Sequence, residues 1–338
     1  MIQKFDKIDK ESREFLINQQ KLLKIEKQSI KALVFNTYEH NGVVGWEVEA
    51  KSAIKKMRHI IVPKSYKDKP VLSVKIKTFE DCTLLEKLTM PFAGRSLCEK
   101  TYNRFANLFS WMDYNPEKSV PPSLKEVEIT GGTIINNSVF SGCENLTTIT
   151  LHNTITTIGD WAFSACSSLR EIILPNSIKN IGEGAFYNCS SLTNITIDED
   201  NTDYKSIDGN LYNVKGTNLI RYAIGKKDTS FTIPDTVVCI HDGAFSGANN
   251  LTEVIIPNHL TEIRNDAFIN CHNLTTITIP KSVKNIGKYA FVNAKLKTAV
   301  FEDAEGWIMS NKLIAPAQLK NPSLTAKLLK DGRALTKE

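Results

Sequence analysis

Seven cysteines and six histidines are the residues of this chain with the chemistry to hold a metal, form disulfides or act as nucleophiles. Their spacing points elsewhere. Cys82, Cys143, Cys166, Cys189 and Cys271 each stand three residues after a phenylalanine, and Ala248 and Ala294 fill the same position after Phe245 and Phe291. A position that accepts either Cys or Ala is a small buried slot rather than a ligand position. Cys98 and Cys239 lie outside that series and have no C-x-x-C partner. His241, His259 and His272 are scattered, no histidine pair has the i, i+4 spacing of a helical metal site, and no G-x-S-x-G, H-E-x-x-H, P-loop or G-x-G-x-x-G occurs. The expectation is no catalytic residue, no metal and no cofactor. An enzyme with its site in the irregular segments, near 92–122 or 201–227, would require a cluster of titratable groups in a pocket there. Asn145, Asn250 and Asn273 each open an N-L-T triplet, nominally a glycan acceptor. Their shared register, just before a buried Leu, predicts corner amides bonded to backbone.

The elements that position these residues repeat. Phe140, Phe163 and Phe186 are 23 residues apart, as are Phe245, Phe268 and Phe291. The common frame is L-x-x-I-x-[IL]-P-x-[ST]-[VI]-x-x-I-G-x-x-A-F-x-x-C. In Leu169, Ile172 and Leu174 the last two apolar residues alternate as in a half-buried strand. Pro175, Pro257 and Pro280 end that strand with a residue lacking an N–H. A second short apolar pair follows, such as Ile178 with Ile181, then a turn glycine such as Gly182 or Gly287. A period of this length is the mark of a solenoid, in which no coil buries its own apolar face and stacking at about 4.8 Å aligns Leu, Ile and Phe into ladders.

Departures from the frame divide the chain. The stack is expected to begin near His59, and residues 92–122, with Phe105, Phe109, Trp111 and Pro121-Pro122, are an irregular segment packed on one coil. The interval from Phe186 to Phe245 is 59 residues, and its surplus, about 198–230, contains two β-prone runs around Asp208-Gly209 and predicts a small β excursion. Trp307 is expected to anchor a cap at the far end, followed by a helical tail. In residues 10–35, Leu16, Leu23 and Ile30 recur every seven, which predicts an amphipathic helix that either packs on the first coil or mediates self-association.

The first strand of each repeat also has an outward face. Its members are Lys87 and Thr89, Glu126 and Glu128, Thr148 and Thr150, Glu171 and Ile173, Asn194 and Thr196, Glu253 and Ile255, Thr276 and Thr278, and Thr298 and Val300. This strip of β-branched residues and Glu reads either as β-propensity on a solvated sheet or as a docking surface for a protein ligand. The net charge of +5 is unevenly spread: residues 1–70 carry 15 basic against 9 acidic residues, and residues 71–310 carry 21 against 26. The repeat body is mildly acidic, so nucleic acid is not an expected partner. The opening MIQKFDKIDKESREF shows no apolar signal region, and no run approaches a membrane span.

The frame, typified by SLREIILPNSIKNIGEGAFYNC, resembles the 23-residue leucine-rich repeat of the BspA-like, or Treponema, type. The resemblance covers about residues 59–310. VPKSYKDKPVLSV resembles the family's opening strand, NTDYKSIDGNLYN its inserted unit, and SLKEVEITGG its return after an irregular repeat. It implies a leucine-rich-repeat solenoid, curved and parallel-stranded, with short helical or 3-10 turns. The chain then divides into an N-terminal helical and basic segment (1–37), the solenoid (38–310) and a capping tail (311–338). The resemblance further implies a non-enzymatic protein-binding module of a microbial surface, exported and adhering to a host or extracellular-matrix protein. The alternative is an intracellular scaffold or assembly protein.

Overall fold

The computed structural model describes residues 10–94, 96, 104–110 and 119–337. Trp111 and Cys98 lie outside the described residues. The repeats form a β-solenoid whose coils stack in three columns. The first column begins with four parallel strands, His59–Ile61, Lys87–Met90, Glu126–Ile129 and Thr148–Thr150. It continues with Glu171–Leu174 paired to Asn194–Ile197, and then with Ser230–Thr232, Glu253–Ile255, Thr276–Ile279 and Thr298–Phe301. Alternate residues of these strands point inward and are buried, as Ile172 and Leu174 are, because one face must leave water while the other remains solvated.

The second column consists of two-residue strands, Ile134–Ile135, Thr157–Ile158 and Asn180–Ile181 in one sheet. It resumes after a gap with Asn218–Arg221, Cys239–Ile240, Glu262–Ile263 and Asn285–Ile286. Glycine follows this column where neighbouring backbones come closest: a Cβ on Gly182 would lie 2.5 Å from the Asp160 nitrogen, and one on Gly287 2.4 Å from that of Asn265.

The third column is the Ala-Phe turn. Ser138, Phe140 and Gly142 donate their N–H groups to the carbonyl oxygens of Asp160, Ala162 and Ser164 in the next coil, and Trp161, Phe163 and Ala165 donate to Glu183, Ala185 and Tyr187. Inside this amide ladder runs a ladder of rings. Phe140, Phe163 and Phe186 stack with centroids 5.6 Å apart, and Phe245, Phe268 and Phe291 stack at 4.8 and 5.0 Å. The irregular 92–122 segment contributes a 3-10 turn, Phe105–Leu108, that joins both ladders. Phe105 donates its N–H to Val139, Phe79 donates to Leu108, and the Phe105 ring lies 5.0 Å from that of Phe140.

Both ladders stop once. The 204–213 hairpin (Tyr204–Ile207 with Asn210–Asn213, turning at Asp208-Gly209) interrupts the stack after the Phe186 coil, and the buried core divides there into two clusters. Tyr222 begins the second ring ladder, 5.3 Å from Phe245.

The ends are closed differently. The helix α1 (Lys10–Ala32) is followed by an antiparallel hairpin, Leu33–His40 with Val43–Ala50, so residue 37 falls inside a strand rather than at the end of the helical segment. The hairpin's turn, Asn41-Gly42, has positive φ at both residues, a conformation Asn and Gly adopt readily. The C-terminal part of α1 packs on the first coil, where the Ser29 hydroxyl accepts the edge N–H of Ile61 at 3.0 Å. Phe15, Leu16 and Ile17 of α1 remain exposed. At the far end Trp307 is buried, edge-on to Phe301 at 4.9 Å, and strand Leu335–Lys337 pairs antiparallel with Asn285–Ile286. The tail contains the helix Pro322–Leu329, whose first amides, Ser323 and Leu324, donate to the Asn321 side chain.

Phe163 is fully buried between two rings, so Phe163→Ala should cost about 3–5 kcal/mol. Ile173→Ala, in the next coil but 63% exposed, should stay within about 0.5 kcal/mol. Urea unfolding of the two variants against the parent checks both values.

Candidate protein-binding face

The outward strip is built by strand pairing: register places Glu126 beside Thr148, Glu128 beside Thr150, Glu171 beside Asn194 and Ile173 beside Thr196. Beyond the hairpin, Glu253, Thr276 and Thr298 line up, as do Thr278 and Val300. Thr148, Thr150, Glu171, Ile173, Glu253, Ile255, Thr276 and Thr278 are exposed. The structure adds Ser230 and Thr232, which pair with Glu253 and Ile255 and complete the strip. The insertion hides them from the 23-residue frame, although the Ile233-Pro234 that follows them is the repeat's own strand-ending signal.

Four of the expected positions, Lys87, Thr89, Asn194 and Thr196, differ from a free surface. Thr89 is buried, held between His59 Nε2 at 3.1 Å and Glu128 Oε2 at 3.2 Å. The reason is α1: its Gln19, Leu22, Leu23 and Glu26 share a small cleft with Ile61, Thr89 and Glu128 and so cover this end of the strip. Lys87 is neutralised there, with Nζ 3.6 Å from Glu126 Oε2 and 3.4 Å from Glu128 Oε2. Burial, followed by the nearby Lys87 charge, pushes the His59 pKa below its ordinary value. Asn194 and Thr196 are only half-exposed, because the 204–213 hairpin takes the next place along the column. Ile195 donates its N–H to the Gly209 oxygen at 2.9 Å, and a Cβ on Gly209 would sit 2.6 Å from Asn194 Oδ1. The strip is therefore two patches, one running from Glu126 to Ile173 and the other from Ser230 to Val300.

The cysteine series occupies the interior. The Sγ–H of Cys166, Cys189 and Cys271 each donates to the carbonyl oxygen of a ladder Phe in the preceding coil, at 3.2, 3.1 and 3.2 Å respectively. Burial pushes Cys143, Cys189 and Cys271 up to about 12 and Cys166 well above its ordinary value. These thiols serve as small hydrophobic groups with a weak donor. Among the described residues no group of His, Cys, Asp or Glu is arranged to hold a metal ion, and none of the described cysteines is in a disulfide. Of the N-L-T asparagines, Asn250 and Asn273 donate through Nδ2 to the carbonyls of Lys226 and Asn249, at 2.5 and 2.7 Å, and so bridge adjacent coils. No helix among the described residues is long and apolar enough to cross a membrane.

Comparison with known proteins agrees with this architecture. A family model described as "BspA type Leucine rich repeat region (6 copies)" matches residues 121–227 and 222–324. No curated protein matches. Among solved structures, the pneumococcal vaccine antigen PcpA aligns with a TM-score of 0.53 at 19% identity, covering 81% of this chain and 81% of that one, which establishes likeness of fold. A leucine-rich repeat protein from Eubacterium ventriosum is 28% identical with a TM-score of 0.42, over 56% of this chain and 64% of that one. A leucine rich cell surface protein from Faecalibacterium prausnitzii is 22% identical with a TM-score of 0.44, over 80% and 96%.

Iodoacetamide at pH 8 should leave Cys143, Cys166, Cys189 and Cys271 unmodified in the folded protein and alkylate them once it is denatured, as read by peptide mapping. A raised thiol pKa favours the folded state below the ordinary value of 9.0, and this contribution is lost as pH climbs toward about 12. The unfolding midpoint of the parent should therefore fall more steeply above pH 9 than that of Cys189→Ala.

Proposed function

The chain belongs to the BspA-type leucine-rich repeat family, and from that premise we propose that it is a non-enzymatic protein-interaction module that binds a protein ligand on its outward strand face. The observation that carries this reading is the pair of exposed patches, in which Ile173 (63% exposed) and Ile255 (47%) stand in solvent among Thr and Glu on a rigid sheet. Aliphatic side chains held out on a pre-ordered surface lose little freedom when a partner covers them. Glu171 in one patch and Glu253 in the other give both a negative charge that selects basic partner segments. In its adhesive version the ligand is a host or extracellular-matrix protein and the chain is displayed at a cell surface.

A second reading, an intracellular scaffold or assembly component, is favoured by one observation. Phe15, Leu16, Ile17, Leu22 and Leu23 of α1 are all exposed, an apolar surface suited to a second protein contact.

Surface plasmon resonance over immobilised fibronectin, laminin and collagen tests the adhesive version. Binding to at least one of them is expected, with Thr150→Arg or Ile255→Arg weakening it at least tenfold while the circular dichroism spectrum stays unchanged. Binding that survives both substitutions would remove the strip from the account, and binding to none of the three would remove the adhesive version. Protease treatment of intact source cells, with a cytosolic control, separates the two locations by whether peptides from 148–175 are released before lysis.

A further inference from the structure

The interrupted third column leaves a cleft. In the two coils before it, three N–H groups of each Ala-Phe turn are taken by carbonyls of the next coil, and the same holds after it, where Asp266, Phe268 and Asn270 donate to Lys288, Ala290 and Val292. At the corresponding positions of the Phe186 coil, Gly184, Phe186 and Asn188 donate to nothing. The coil that would accept from them is displaced by the 198–230 insertion. A cleft of about 540 Å³ lies in its place, between residues 181–187 on one side and 220–221 with 241–246 on the other. Gly184 and Phe186 line it, and Trp161, 40% exposed, stands at its rim edge-on to Tyr187. The Tyr187 hydroxyl accepts a hydrogen bond from Asn270 Nδ2 at 3.2 Å, which ties the two walls together.

Arg221 lines the opposite side. Its guanidinium donates from Nη1 to the Gly243 oxygen at 2.6 Å and from Nη2 to the Ser246 oxygen at 3.2 Å, the latter an acceptor position that an amide of the preceding coil fills elsewhere in the ladder. The side chain is 6% exposed, no carboxylate lies within ion-pair distance of it, and its Nε and the adjacent Ser246 Oγ have no hydrogen-bond partner. A buried guanidinium retains its charge, and without an anion that charge is uncompensated. The carboxylates nearby belong to the rim. Asp242 is 3.6 Å from His241 and 3.9 Å from Arg264, while Glu183 and Asp266 stand beside the opening.

We propose that this cleft is a second binding site, which takes an extended segment of a partner protein bearing a single carboxylate. Carbonyl groups of the segment accept from Gly184, Phe186 and Asn188, as those of the missing coil would, and the carboxylate compensates Arg221. The row of donors at alternate residues calls for a peptide backbone in place of a small ion. The buried cation calls for one acidic side chain, and the acidic rim rejects a run of them. The site does not depend on the strand-face reading: it lies on the Ala-Phe side of the coil, and Thr150→Arg leaves it intact.

The test is titration of the whole chain with acetyl-Ser-Ala-Glu-Ala-Ser-amide, with its Gln counterpart, and with glutarate, followed by amide chemical shifts. The Glu peptide should bind at least about tenfold more tightly than the Gln peptide. It should shift Gly184, Phe186 and Asn188 while Ser138, Phe140 and Gly142 stay fixed. Arg221→Met should abolish the difference between the peptides; if that variant does not fold, the shifts in the unsubstituted protein decide. Equal binding of the two peptides, shifts confined to other amides, or no binding up to about 10 mM would each overturn the proposal. Glutarate binding as tightly as the Glu peptide would overturn it in favour of a small-carboxylate site.

Discussion

Every coil of this solenoid has an edge of backbone groups that only the next coil can satisfy, and the rest of the structure follows from meeting that demand. A single coil of 23 residues buries too little to fold alone. Stacked, each coil supplies strand hydrogen bonds in two columns, amide bonds in the third, and a phenyl ring packed flat between its neighbours' rings. The same demand accounts for the small residues. Gly182 and Gly287 stand where a Cβ would strike the preceding backbone, and the Cys slot fits a thiol that donates to the preceding ladder carbonyl. At the ends the demand is met by other means: the Ser29 hydroxyl on Ile61 at one, the Leu335–Lys337 strand at the other.

The repeat itself was legible because its constraints are local and periodic. The spacing of Phe140, Phe163 and Phe186 reports the ring ladder, and the alternation of Cys with Ala reports a buried slot. What was not legible lies where one element stands in for another. Phe105 is out of frame in sequence, yet it takes a coil's place in the ring ladder, because a 3-10 turn can present one ring and a few carbonyls as well as a full repeat does. Thr89 fits the outward alternation but is buried, since α1 folds back over it and no local pattern records that contact. Asn41-Gly42 is a strong hairpin signal that precedes the first repeat, and the hairpin it forms moves the end of the helical segment to Ala32. Arg221, inside a β-prone run, carries no local sign that its guanidinium would cap two carbonyls of the next coil.

The two surfaces proposed to bind differ in how the stacking demand is met. The first strand column presents side chains outward, Ile173 and Ile255 with their Thr and Glu neighbours, in two patches separated by the hairpin. Inside the stack the Ala-Phe column leaves all three of its amides unbonded after Phe186, and at the far end the N–H groups of Phe291 and Asn293 are likewise left without a following coil. A side-chain surface and a backbone surface thus lie on different faces of the same rigid stack, and a partner on one need not compete with a partner on the other.

Residue-resolved amide hydrogen exchange tests the stacking account most directly. The N–H groups of Trp161, Phe163 and Ala165, and of Asp266, Phe268 and Asn270, are bonded to the next coil, whereas those of Gly184, Phe186 and Asn188 are not. The account predicts that the last three exchange at least about 100-fold faster than the other six, although all nine share one turn geometry. Equal protection across the three coils would contradict it, because the ladder would then be continuous and the break after Phe186 would not exist in solution.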